Sequence, residues 1–354
     1  MSKNANTNKV RLGDKMKNMT DTNLLLTITI VVFFLMYIGA VVFQGKGFLK
    51  PQTFLNILNA NAALIIVSCG LSLVMITGGI DISVGGVVAL ISMCCAVWLD
   101  RKGGNVFTAV LIALGIGLLF GIVQGFLVAY LDIQPFIVTL AGMFFARGMT
   151  TIVNTNPFNV ENEEFGALKA ARIIIPGLGS TTKKGIYVNA YIEIGVVVAL
   201  LVVLVMFCLL RWTKLGRSFY AVGGNQQSAL MLGINVRRTK FLSHVLCGLL
   251  AGIGGFVYFM HVGSGSPSHA SGMEMNAIAS SIIGGTMLTG GVGNIIGTFF
   301  GVLSLSTIQN IVSSAGLDQA WWTGITIAAM LCLFLVIQSV VMARKKKSGG
   351  KSKG

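Results

Sequence analysis

Several stretches of this sequence run for about twenty residues with almost no charge, and that feature limits the fold more than any other. LLLTITIVVFFLMYIGAVVF (24–43) is one of them. About twenty apolar residues in a helix match the thickness of a bilayer's hydrocarbon core. The runs are continuous and do not alternate, so they read as helices and not as barrel strands. The composition agrees: hydrophobic residues are 54% of the chain and charged residues 10%, against roughly 25% charged in a soluble domain. This chain cannot cover a water-facing surface, so its main solvent is lipid. The first run follows a long polar lead and has no A-x-A cleavage site, so it reads as a retained transmembrane helix.

Ten spans are expected, at 24–43, 58–76, 82–99, 106–130, 134–153, 189–210, 241–261, 275–290, 294–314 and 320–342. The segments 82–99 and 275–290 are short and flanked by glycine, so either could be a broken or re-entrant element. An eight-span count is the alternative. The fold class is an all-α polytopic membrane protein.

Lys and Arg set the orientation. The formal net charge is +15, concentrated in the tail 1–23, the segment 211–240 and the tail 343–354. Ten spans put all three in the cytoplasm, with both termini, and leave 154–188 as an extracytoplasmic loop. Asp100-Arg101-Lys102 and four cations within 154–188 argue against it, although long translocated loops escape the charge rule. Basic clusters beside spans suit anionic headgroups, so the net charge does not imply nucleic acid.

The absence of motifs narrows the chemistry. No G-x-x-x-x-G-K-[ST] loop occurs, and GLGSTTKKG lacks its spacing, so no Walker-type ATP site is expected on this chain. H-E-x-x-H and EF-hand patterns are missing as well. Cys69, Cys94, Cys95, Cys208, Cys247 and Cys332 lie in apolar runs without C-x-x-C spacing, and read as small buried side chains. No catalytic residue, metal site or cofactor is expected.

Polar residues at membrane depth are functional candidates. Asp132, Glu193, His244, His261 and Glu274 lie near span ends, and Arg147 either pairs with a carboxylate or snorkels. Asp81 is sharper. MITGGIDISVGG (75–86) sets it, with Ser83, between Gly78-Gly79 and the next apolar run. Glycines permit non-helical backbone, and Asp is a helix N-cap residue. Asp81 therefore caps the following helix, or contacts substrate or a gate, and the two roles are compatible. GGIDISVG (78–85) is echoed by GGTMLTGG (284–291), as in transporters that repeat broken-helix elements. Gly115-x-Gly117, Gly121-x-x-x-Gly125 and Gly297-x-x-x-Gly301 suggest close helix packing. In the basic segment, Asn225 can cap a short helix that Gly233 ends. It would lie outside the membrane as a docking site, or on the lipid surface.

Three stretches together resemble the permease subunits of bacterial ribose-type sugar ABC importers. They are MITGGIDISVGG, RWTKLGRSFYAVGGNQQSALMLGI and IASSIIGGTMLTGGVGNIIGTFFG, and the likeness runs from about residue 50 to 340. QPFIVTLAGMFFARG and AWWTGITIA look closer to the galactofuranose-transporter branch. Met287 and the long basic C-terminal tail depart from the family pattern. The resemblance implies a separate ATPase subunit that binds ATP, an extracytoplasmic sugar-binding protein, a second permease chain, and residence in the bacterial plasma membrane. It carries the gate motifs onto Gly78, Gly79, Asp81 and Ser83, and onto Gly284, Gly285, Gly290, Gly291 and Gly293. The ATPase-coupling region falls on Gly223, Gly224, Asn225, Ser228, Ala229, Leu232, Gly233 and Ile234. An uncharged sugar needs hydrogen-bonding groups along its path, for which Asn61, Gln124, Asn276, Gln309 and Asn310 are the candidates. The rival reading is an ion-coupled secondary transporter using Asp81.

Overall fold

The computed structural model describes residues 21–44, 48–181, 187–316 and 319–350. The N-terminal tail through residue 20, and residues 351–354, lie outside the described residues. Among the described residues, thirteen helices form a bundle. They are α1 (Asp21–Gln44), α2 (Pro51–Ile76), α3 (Val84–Arg101), α4 (Val106–Ala129), α5 (Pro135–Val153), α6 (Glu163–Ala170), α7 (Ile194–Trp212), α8 (Lys214–Gly224), α9 (Gln226–Met231), α10 (Val236–Val262), α11 (Met273–Ile283), α12 (Ile295–Ser314) and α13 (Ala320–Gly350). Among the described residues, nine are long and apolar enough to cross a membrane.

Local chemistry sets the helix ends. Pro51 and Pro135 open α2 and α5, where a missing N–H costs nothing. Asn105, Asn235 and Asn294 cap α4, α10 and α12, accepting from the N–H groups of Thr108, Arg238 and Ile296 at 2.8–2.9 Å. α2 is buried along most of its length, and α10 packs against α2, α3 and α4. α1, α4, α5, α7 and α13 present Leu35, Phe107, Phe144, Leu204 and Val336 outward, the arrangement expected of a lipid-facing rim.

The expected glycine faces are contact faces. A Cβ at Gly117, Gly121 or Gly125 would run into the α10 backbone, and one at Gly297 or Gly301 into Gly284 or Ser280. Gly115 faces open space instead. Helices without Cβ atoms at the seam approach closely enough for dispersion contacts to hold them in lipid.

The structure departs from the expected spans in three places. The segment 82–99 is a full helix, but 275–290 is not. There α11 has only 11 residues, roughly 16 Å, and an irregular stretch precedes it. β4 (Ser264–Gly265) pairs with β1 (Phe158–Asn159), while Gly291 bonds Ile76 at the opposite end of the bundle. The chain therefore makes its eighth traverse as a broken element, extended and then helical. Arg147 holds the extended part by donating to the carbonyls of Pro267, His269 and Ala270. α2 begins seven residues before the expected span. The expected span at 189–210 begins as β3 (Tyr187–Glu193), which pairs antiparallel with β2 (Arg172–Thr181). This hairpin and α6 fill the 154–188 loop. Phe165 stacks on Phe259 with ring centroids 4.5 Å apart.

Candidate functional site: a glycine junction between two helix breaks

The first break follows α2. The N–H of Gly78 bonds Met75 O at 2.9 Å and that of Gly79 bonds Val74 O at 3.0 Å. Gly78 has φ +85°. This is a Schellman-type end, whose left-handed residue is nearly always glycine. The chain then runs inward beside α5. Gly79 lies against Pro135, Ile80 O accepts from Thr139 Oγ1 at 3.4 Å, and Ser83 lies against Gly142. Seven residues of helix cover about 10 Å, so α3 starts well inside the bundle. Such backbone is tolerated at depth only where protein buries it, and Asp81 is 2% exposed.

Asp81 does not cap α3 as expected. Ser83 is the N-cap residue, and Asp81 Oδ1 accepts from Ser83's own N–H at 2.9 Å and its Oγ at 2.7 Å. The carboxylate closes a turn two residues long, a known habit of Asp. Gln124 Oε1 lies 3.1 Å from Ser83 Oγ, so this pathway candidate belongs to the break. Its cavity wall is otherwise apolar, including Leu119, Phe120 and Val138.

The second break repeats the first. Gly285 has φ +88°. Its N–H bonds Ile282 O at 2.9 Å, and Thr286 N–H bonds Ser281 O at 2.9 Å. The equivalent pairs are thus Gly78 with Gly285 and Gly79 with Thr286, one residue out of register with the sequence echo. Side chains also reach the carbonyls here: Thr29 Oγ1 donates to Ile283 O at 2.8 Å, and Gln338 Nε2 to Ile282 O at 2.5 Å. Met287 N–H closes the following turn on Val292 O.

The two breaks meet at α8. Gly291 N–H bonds Ile76 O at 2.9 Å. A Cβ on Gly223 would strike Ile76 O and Gly291 N, and one on Gly290 would lie 2.9 Å from Gly223 O and the Gly78 backbone. Gly291 packs likewise on Gly224, and Gly293 on Ile76 and Thr286. Tyr220 Oη donates to Gly293 O at 2.9 Å. Burial pushes that phenol up to about 12, so it stays a donor at any working pH. Glycines assigned separately to gate and coupling regions are in one backbone contact.

α9 is the short helix expected after Asn225. Asn225 Oδ1 accepts from Ser228 N–H at 2.8 Å, Ala229 is buried, and Gly233 at φ +79° ends the helix with Ile234 N–H on Ala229 O at 3.0 Å. The separate helix α8 was not anticipated. Leu230, Met231 and Leu232 are 63%, 80% and 79% exposed.

The other pathway candidates fall in two places. Asn61 and Asn276 line one cavity of about 130 Å³ near the β2–β3 hairpin. Asn310 is exposed at the far end of α12, beside a groove of about 970 Å³ between α1, α12 and α13, and Gln309 is half-buried next to it. Sequence reasoning missed Tyr220, Thr29 and Gln338, because isolated polar residues in apolar helices carry no local sign of their partner.

A family profile described as "Branched-chain amino acid transport system / permease component" matches residues 53–335. The chain belongs to this family. Among its relatives is the inner membrane ABC transporter permease protein YjfF of Escherichia coli (strain K12), 36% identical over 320 residues, covering 90% of this chain and 93% of that one. The fructose import permease protein FruG of Bifidobacterium longum is 33% identical, covering 96% and 97%. The ribose import permease protein RbsC of E. coli (strain K12) is 33% identical, covering 86% and 92%. No solved structure matches. Within the family the chain groups with ribose-type sugar permeases, and it is a multi-pass protein of the bacterial plasma membrane.

Proposed function

We propose that this permease forms the translocation pathway for a simple sugar in an ATP-driven importer. The cargo is a pentose or hexose, with galactofuranose as the specific candidate. A separate ATPase subunit binds and hydrolyses ATP, an extracytoplasmic binding protein delivers the sugar, and a second permease chain, identical or homologous, completes the pathway. The α8–α9 end faces the cytoplasm, with both termini. Support for this sidedness comes from Arg211, Lys214, Arg217, Arg237, Arg238 and Lys240, since cytoplasmic loops are enriched in such residues. These cations and the basic tails also suit anionic headgroups.

One observation carries the mechanism: Gly223 sits in backbone contact with both helix breaks. The exposed Leu230–Leu232 ridge on α9 gives the ATPase an apolar handle. Closure of the ATPase pair pushes α8 and α9, and Gly223 transmits the push to the α2–α3 and α11–α12 breaks together. Breaks with non-helical backbone absorb such a displacement, and the bundle alternates its access.

The test is to purify the complex through a tag on this chain and assay ATP hydrolysis and sugar uptake. An ATPase subunit that co-purifies, and ATP-dependent uptake, are expected. Uptake that survives ATP depletion and collapses with the proton gradient would overturn the reading.

A further inference from the structure

The cavity shared by Asn61 and Asn276 is built for a ligand. It lies between α2, the start of α7, the end of α10 and the start of α11. Its volume is about 130 Å³, beyond the roughly 10–15 Å³ that one water needs and below the roughly 300 Å³ of drug-sized sites. Asn59 lines it, is 5% exposed, and has an Nδ2 with no hydrogen-bond partner. A buried amide left unpaired is costly, and here the orphan borders a space that can hold a partner. Asn59 Oδ1 is committed to Glu193 N–H at 2.9 Å, which fixes the amide.

The remaining wall carries both donors and acceptors. Asn61 Nδ2 is used by Ile57 O at 2.8 Å, so Asn61 offers its oxygen. Tyr258 Oη accepts from Ala270 N–H at 3.2 Å and keeps its proton to donate. Glu193 Oε2 is 2.7 Å from His261 Nδ1. Asn276 completes the ring, and Val257 and Met273 supply an apolar patch. A hard cation would want several oxygens converging at once, and the Asn59 amide donor works against that. Vicinal hydroxyls, each both donor and acceptor, fit this wall, and the apolar patch fits the C–H face of a sugar ring.

We infer that this cavity is a monosaccharide subsite within the permease chain itself. The inference rests on the sugar-permease reading and adds to it a place and a set of residues. It also connects cargo to gate. Asn276 lies on α11, whose other end is the second break. Movement at the glycine junction would shift Asn276 against Asn59 and Asn61, which are anchored on α2, and so open the ring of hydrogen bonds.

The experiment uses the complete importer in liposomes, with radiolabelled ribose, fructose and galactose as probes. Asn59→Leu, Asn276→Ala and Tyr258→Phe each remove one sugar-facing group. For the transported sugar each should raise the KM of uptake about tenfold, the size of one lost hydrogen bond, and change the relative rates of the three sugars. Sugar-independent ATP hydrolysis and ATPase co-purification report assembly. In Asn276→Cys, alkylation of the peptide containing residue 276 should be slowed by the transported sugar and not by sucrose. Unchanged KM and relative rates in all three variants, or no protection of the cysteine, would overturn the subsite. Absence of ATP-driven uptake of any probe by the wild-type complex would instead overturn the underlying reading.

Discussion

Gly223 and Gly224 are neighbours on α8 with opposite surroundings, and that contrast makes a sharp test of the junction. A Cβ on Gly223 would overlap Ile76 O and Gly291 N, whereas one on Gly224 meets nothing within 4 Å. Both Gly→Ala changes gain up to about 1 kcal/mol of helix propensity. Gly223→Ala must in addition force apart a backbone hydrogen bond, Gly291 N–H to Ile76 O at 2.9 Å. Overpacking costs about 1–3 kcal/mol, and leaving a buried amide unmet costs about 1–3 kcal/mol more. The net loss is about 1–5 kcal/mol, borne by the contact that joins the two breaks. If the contact must re-form in each cycle, a mid-range loss of about 3 kcal/mol slows transport roughly a hundredfold.

The assay is ATP-driven sugar uptake per molecule of complex, with co-purified ATPase measured in parallel. Gly223→Ala is expected to keep its ATPase partner and hydrolyse ATP with little uptake. Gly224→Ala is expected to transport normally. Equal uptake by the two variants would refute the junction as the transmission point.

Three further outcomes follow from the same geometry. Asp81→Asn keeps an Oδ1 for Ser83 and should leave ATP-driven uptake largely intact, whereas Asp81→Ala strands the buried Ser83 N–H while the Ser83 hydroxyl keeps Gln124 Oε1, and should destabilise the purified chain by about 1–3 kcal/mol in thermal unfolding; an inactive but well-folded Asn variant would mean that the negative charge of this side chain is required. Met231→Ser with Leu232→Ser touches only exposed positions, so the fold should be unchanged while co-purification of the ATPase falls sharply; undiminished capture would move the docking surface elsewhere. Gln338→Leu leaves Ile282 O with the Gly285 N–H alone, a net loss of about 0.5–1.5 kcal/mol that should lower the unfolding temperature; an unchanged temperature would mean that α13 does not secure the second break.

What the sequence reveals here depends on how far apart the partners lie. The long helices are readable because lipid demands apolar side chains along every outward face. α11 misleads for a related reason. It is enclosed by α2, α3, α12 and α13, and protein burial selects the same apolar residues as lipid, so hydropathy continues past Ile283 where the helix stops. The repeated break is legible as a paired Gly-Gly, but its register is not. A run of two glycines does not say which one takes positive φ, and the hydrogen bonds to Val74 and Ser281 decide it. α9 is readable because Asn225 and Gly233 punctuate it locally. The meeting of Gly78, Gly223 and Gly291 is a tertiary fact with no local signature, as is the ring around Asn59.

The two breaks are alike in backbone and different in mooring, which bears on what moves. At the first, Asp81 satisfies Ser83 two residues away, so those bonds travel with the segment. At the second, the carbonyls of Ile282 and Ile283 are held by Gln338 on α13 and Thr29 on α1. Ser72 adds a hydroxyl cluster with Ser281 and Thr298, at 3.0 and 2.7 Å, tying α2 to α11 and α12. Shifting the second break alone would break contacts to three neighbouring helices at once, each worth about 1 kcal/mol. Shifting the first keeps the Asp81–Ser83 bonds and gives up only the Ser83–Gln124 contact to α4 and the 3.4 Å contact from Thr139 on α5. A push delivered through Gly223 therefore meets less polar resistance at the start of α3, while α1, α11, α12 and α13 respond together as one body.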